Sequence, residues 1–194
     1  DPISGAFGHR GRASTTGRRI RTVNALLAFY RGEGPDDRGR MLTDILQQDD
    51  AWLERTHDYV QWLFPLEERS RVNRDAPLLD ADTATAFRDD QALRRQAFDA
   101  YLRMLAFFGL TRMPDGRVVK ATSWHERKRH WFTRDSHNSL RITRILKSLA
   151  LLGLVDDARA FQRALATLCT SEPGCDITSM SRAYWRHAIP DEAD

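Results

Sequence analysis

The sequence predicts an all-α protein, a single globular helical domain of about six to eight helices with at most one small β-hairpin. Two observations carry that prediction. With 194 residues, 41% of them hydrophobic, and five Trp, nine Phe and four Tyr, the chain can bury one sizeable core. Apolar residues also recur at three-and-four spacing along most of the chain, and only one short stretch reads as β.

The opening DPISGAFGHRGRASTTGRR mixes glycine, Ser/Thr and arginine without helical period. It reads as a flexible basic arm, residues 1–19, ahead of a helical domain over 20–190. Helical spacing starts with Val23, Leu26, Leu27 and Tyr30, and RGEGPDDRGR interrupts it. A short helix over 41–48 precedes one over 50–64, on which Trp52, Tyr59, Val60 and Leu63 share a face and which Pro65 ends. In the irregular loop that follows, Asn73 and Asp75 are placed to cap backbone groups.

The longest periodic stretch, 83–108, carries Leu93, Ala97, Tyr101, Met104 and Phe108 on one stripe, with Phe98, Leu102 and Leu105 beside it. A face that wide belongs to a centrally buried helix. Gly109 is placed to end it in a left-handed conformation, and MPDGRVV reads as the turn of the hairpin. Helices over 123–132, 136–152, 156–170 and 179–188 complete the fold, with stops at Gly153 and SEPGC.

Charge is uneven. The chain carries a net +3, yet residues 112–147 hold ten cations against Asp115, Glu126 and Asp135. Such asymmetry speaks about partners, and it keeps nucleic acid in view as a ligand of this basic region. Only Lys120, Lys128 and Lys147 are lysines, an arginine bias that fits a GC-rich bacterial genome. No apolar run approaches the roughly 18 residues of a membrane-spanning helix, and 1–20 lacks the hydrophobic region of a secretory signal. Cys169 and Cys175 make no disulfide framework, so a reducing cytoplasm is the expected location.

Familiar chemistries fail at the level of motif. Phosphate loops, nucleophile elbows and dinucleotide fingerprints are missing. HERKRH has one residue too many for a zinc helix, since spacing of five turns His125 and His130 about 140° apart. No catalytic set, metal or cofactor is read from the sequence.

Three segments concentrate polar side chains that could form a site. On the helix near Ser136, its expected N-cap, Ile142, Ile145, Leu146, Leu149 and Leu152 make the buried face. His137, Arg141, Arg144 and Ser148 climb the other side with Asn138 and Lys147 flanking, which suits a carboxylate or phosphate. The alternative is a solvated face, or arginines paired internally with acids such as Asp58, Glu67 or Asp99. SWHERKRHWF sets Trp124 and Trp131 seven residues apart with Arg127 and Lys128 nearby, either a stacking platform or core. In THDYVQWLF, His57 and Gln61, and Asp58 and Trp62, lie one turn apart. Together these define a predicted cleft lined by His57, Trp62, Trp124, Arg127, His130, His137, Asn138, Arg141 and Arg144, binding an anionic small molecule or the carboxylate end of a short peptide. An enzyme using His130 or His137 with a nearby carboxylate stays open as an alternative.

HDYVQWLFPLEERS, WHERKRHW and SHNSLRITRILKSLALLGL closely resemble the conserved region of the opioid growth factor receptor family. The resemblance runs from about Phe29 to Ala188, and AFYRGEGPDD and AYWRHAI look like its bacterial members. It implies a helical domain and a short-peptide partner. The animal protein of the family is nuclear-associated, binds the pentapeptide Met-enkephalin and restrains proliferation. No catalytic or ligand residue carries over with the resemblance.

Overall fold

A computed structural model describes residues 24–134 and 136–190. The predicted basic arm and Asp135 therefore lie outside the described residues. The order is α1 (Ala25–Tyr30), α2 (Leu42–Leu46), α3 (Asp50–Arg55), α4 (Val60–Leu63), α5 (Ala81–Asp89), α6 (Gln91–Phe107), β1 (Leu110–Arg112), β2 (Val118–Lys120), α7 (Trp124–Arg127), α8 (Asn138–Leu151), α9 (Val155–Ser171) and α10 (Ser179–Arg186). One 3-10 turn, Lys128–His130, follows α7. The fold is all-α with a single two-stranded hairpin, as expected.

There are ten α-helical segments among the described residues, more than the six to eight expected, because two continuous periodic stretches are each broken in two. The stretch 83–108 divides at Asp90, whose carboxylate accepts from the N–H groups of Ala92 and Leu93 and so starts α6. Aspartate prefers that position to a helix interior. The stretch 50–64 divides after Arg55, where Thr56 is extended at φ −95° and ψ 133°. No glycine or proline marks that break. Its cause lies elsewhere in the chain, in donors that receive the carbonyls released there.

Helices of four to six residues cannot stand alone in water. They are held by one contiguous core that runs through Leu26, Phe29, Tyr101, Met104, Phe108, Trp131, Ile145 and Phe161. Burying each large apolar side chain contributes roughly 1.5–3 kcal/mol, far more than local helical preference supplies. The stripe predicted on α6 is buried, Leu93, Ala97, Tyr101 and Met104 among it, and α8 buries Ile142, Ile145, Leu146 and Leu149 against α9.

Gly109 ends α6 at φ +75°, and a Cβ there would stand 2.9 Å from Arg127 Cβ and 2.9 Å from Trp124 Cα. Its bare backbone thus lets α7 close on the end of α6. Glu172, just beyond α9, ties the next layer. Its buried carboxylate accepts from Lys120 on β2, from Lys128 Nζ at 2.7 Å and from Trp124 Nε1 at 3.0 Å. Hydrogen bonds from Lys120, Lys128 and Trp124 pull its pKa from 4.5 to about 2.

Gly109→Ala is expected to cost at least about 2 kcal/mol, and Gly39→Ala, also left-handed but in open space, about 1 kcal/mol. Urea denaturation midpoints compare the two, and equal losses would show that the α6–α7 approach constrains nothing. Because the Glu172 pKa is depressed in the folded state, its stabilisation is present above pH 4.5 and is lost as pH falls towards 2. Unfolding free energies of wild type and Glu172→Gln should therefore differ at neutral pH and converge towards pH 2. A constant gap would exclude the ionised carboxylate as the cause.

Candidate functional site

The polar side of α8 is not a solvated stripe. Arg141 is 6% exposed and Ser148 is fully buried. Arg141 Nη1 donates to the Leu53 carbonyl at 2.9 Å and to Asn138 Oδ1 at 3.2 Å, and Nη2 donates to the Thr56 carbonyl at 2.7 Å. It thereby occupies the end of α3, whose last carbonyls have no partner within the helix. One turn on, Arg144 Nε donates to the Phe64 carbonyl at 2.7 Å, and Ser148 Oγ to the Pro65 carbonyl at 2.9 Å. Asn138 Nδ2 reaches the Glu54 carboxylate at 3.1 Å. The partners are thus mainly backbone carbonyls, not Asp58, Glu67 or Asp99. Ser136, the expected N-cap, stands one residue ahead of that position, which His137 occupies without a side-chain cap bond, although Ser136 Oγ does accept from Asn138 N–H at 3.2 Å.

Five of the nine predicted lining residues stand apart from any shared cleft. Trp62 is buried beside Phe29 and donates Nε1 to Asp37 at 2.8 Å. Trp124 is spent on Glu172 and packs edge-on against Trp131 at 5.9 Å, which makes the tryptophan pair core. Arg127 donates Nε to the Phe107 carbonyl at 2.7 Å and lies 3.4 Å from Asp50, capping α6. Asn138 is wholly buried. The His130 ring is exposed, with no carboxylate within 4 Å among the described residues.

The other four, His57, His137, Arg141 and Arg144, do meet, lining a hollow of about 290 Å³ with Val60, Gln61, Ser70, Arg71, Val72 and Leu140. The rings of His57 and His137 are 4.8 Å apart. His137 Nε2 lies 3.3 Å from Glu54, and His57 Nδ1 is 3.4 Å from Arg141 Nη2, so that nitrogen accepts. Burial, then the Arg141 charge, lowers the His137 pKa against the pull of Glu54, which leaves the imidazole neutral at pH 7. Neither Arg141 nor Arg144 forms an ion pair among the described residues, but Arg141 spends both nitrogens of its fork on the framework, whereas the one bond of Arg144 engages Nε. Burial pushes its pKa down to about 10 with only distant Glu68 opposing, so it remains a partly desolvated cation. The rim is apolar, with Val72 64% and Leu140 68% exposed.

Sequence reasoning missed Arg71, Val72 and Leu140. Leu140 does leave a trace, an apolar residue on the polar side of α8 next to Arg141. The 70–72 loop leaves none, because its position depends on Asn73, whose Oδ1 accepts from Asp75 and Ala76 N–H and whose Nδ2 donates to the Asp58 carbonyl. This bears out the capping predicted for Asn73.

The basic region 112–147 is partly neutralised, mostly by acids distant in sequence. Among the described residues six of its ten cations have a carboxylate within 4 Å, Arg112 with Asp157 and Arg134 with Asp176 among them. Among the described residues no helix is long and apolar enough to cross a membrane, and no three His, Cys, Asp or Glu side chains are grouped to hold a metal ion.

Residues 21–190 match the family described as the opioid growth factor receptor (OGFr) conserved region. The opioid growth factor receptor of Rattus norvegicus is 42% identical over 139 residues, which cover 66% of this chain and 23% of the rat protein. That of Homo sapiens is 42% identical over 140 residues, covering 66% and 20%. The opioid growth factor receptor-like protein 1 of Rattus norvegicus is 39% identical over 141 residues, covering 69% and 30%. The matched part is thus less than a third of the length of these vertebrate relatives. No solved structure matches. With all of its described residues inside the matched region, the chain belongs to the opioid growth factor receptor conserved-region family.

Proposed function

We propose that the chain is a non-enzymatic binding domain that seats the carboxylate end of a short peptide, or an acidic small molecule, in the hollow between α4, the 70–72 loop and α8. The observation that carries this reading is Arg144, a partly buried guanidinium without an ion-pair partner, opening beside Arg71 onto a hollow with apolar lips. A carboxylate placed there gains a charge-assisted bond from a cation already stripped of much of its water. Val72 and Leu140 then offer contact to the adjoining apolar side chain. About 290 Å³ admits a peptide terminus rather than a whole peptide, so most of such a ligand would lie across the rim. The relatives' names, receptors for a growth factor, agree with a peptide-type partner.

His137 and Glu54 resemble a base with its orienting acid, but the imidazole is 43% exposed. General acid–base work needs a closed site, which this shallow hollow does not provide.

Calorimetry at low salt with Met-enkephalin as free acid and as carboxamide tests the assignment. The free acid should bind at least about tenfold more tightly, and Arg144→Gln should erase that difference while remaining folded. Equal affinity of acid and amide would end the proposal. Arg141→Gln is expected to act on stability instead, costing about 1–3 kcal/mol by leaving the Thr56 carbonyl without its donor and the Leu53 carbonyl with Tyr59 Oη alone.

A further inference from the structure

A second surface is built where the hairpin meets α9. In the hairpin, Met113 N–H donates to the Arg117 carbonyl at 2.7 Å and Ala121 N–H to the Gly109 carbonyl at 2.9 Å, bracketing the Thr111↔Val119 pair. Bonded pairs alternate in an antiparallel ladder. The N–H and C=O groups of Val118 and Lys120 therefore point away from β1, and no other described segment bonds to them. This free edge walls a groove of about 540 Å³ whose floor and far wall come from α9. Ala160 and Ala164 keep α9 low beside the strand, Leu168 makes the floor apolar, and Arg163 stands exposed at the rim.

The charge of the groove is positive. Glu172, the nearest buried acid, is consumed by Lys120, Lys128 and Trp124, whereas Arg163 forms no ion pair among the described residues. Arg117 adds a second cation and faces only Asp115, on the exposed turn.

We infer that the outer edge of β2 takes an extended, acidic peptide segment of a partner protein as a third strand laid over α9. The outward groups of Val118 and Lys120 supply main-chain bonds, as in other strand-addition modes. Alternate apolar side chains fill the Ala160–Ala164–Leu168 floor, and carboxylates face Arg163 and Arg117. An unpaired edge of β-branched residues is a template for pairing, and here the cationic rim selects acidic strands over others. This site shares no lining residue with the Arg144 hollow and does not depend on it.

The test uses the full chain and a hexapeptide of alternating valine and glutamate, acetylated and amidated so that it carries no terminal charge. Binding should slow amide exchange at Val118 and Lys120, and N-methylation of alternate residues of the peptide should abolish it. Arg163→Glu, an exposed change, should weaken binding by about fivefold, and Arg144→Gln should leave it unaltered. Absence of binding at millimolar peptide, unchanged exchange at Val118 and Lys120, or equal binding of the methylated peptide would overturn the inference. Loss of binding in Arg144→Gln would also overturn it, by placing the peptide in the other hollow.

Discussion

The fold depends on one constraint, which is that the carbonyls at the ends of its short helices must find donors. A helix leaves its last four carbonyls without internal partners, and a four- to six-residue helix is nearly all ends. Here several of those ends are buried, so water cannot serve them. Side chains do: Arg141 at the end of α3, Arg144 and Ser148 after α4, and Arg127 with Trp131 Nε1 at the end of α6. Tyr30 adds its hydroxyl to the Leu63 carbonyl. Each buried acceptor left bare would cost about 1–3 kcal/mol, comparable to burying a large apolar side chain. The donors are thus as much part of the framework as the leucines are.

This explains why the chain breaks where local pattern says it should continue. The face of Trp52, Tyr59, Val60 and Leu63 suits one helix, and nothing in residues 56–59 is a helix breaker. The alternative is stabilised from outside: Arg141 receives the carbonyls of Leu53 and Thr56, and Tyr59 Oη bonds Leu53 at 3.2 Å while its ring packs on Trp52. Guanidinium is suited to this work because its fork serves two carbonyls at once and its flat carbon can rest on a ring, as Arg141 does over Tyr59 at 5.7 Å.

The same physics sets what was legible in the sequence. Periodicity found α6, α8 and α9 because a buried face leaves a one-dimensional signature, and Gly109 announced its turn because only glycine accepts that φ without strain. The division at Asp90 was written in the sequence too, as an aspartate inside an apparent helix, but it was outvoted by the apolar stripe. The division at Thr56 was not written locally at all. For the site, periodicity correctly put His137, Arg141 and Arg144 on one side of α8 and away from its leucines. It could not say what faced that side, because a guanidinium bonded to backbone carbonyls and one bathed in water give the same spacing. Trp62, Trp124 and Arg127 were grouped with them by chemical type alone, and each proves to be turned inward by a distant partner, Asp37, Glu172 or the Phe107 carbonyl.

A cation in this domain is best classed by what remains after the framework has taken its share. Arg141 is used on both nitrogens of its fork, Arg127 on a carbonyl and a carboxylate, and Lys120 and Lys128 on Glu172. Arg144 gives the framework only Nε, and Arg163 lends it no side-chain bond among the described residues. A net charge summed over 112–147 treats all of these alike and so overstates the basic surface. At two places, the Arg144 hollow and the groove beside β2, cations with unspent donors stand next to exposed or shallowly buried apolar groups. Surplus charge next to apolar surface favours ligands that present a carboxylate and a hydrophobic side chain within a few ångströms, and a peptide does so repeatedly along its length. A polyphosphate backbone would meet the charge at either place but would leave the apolar contact unused.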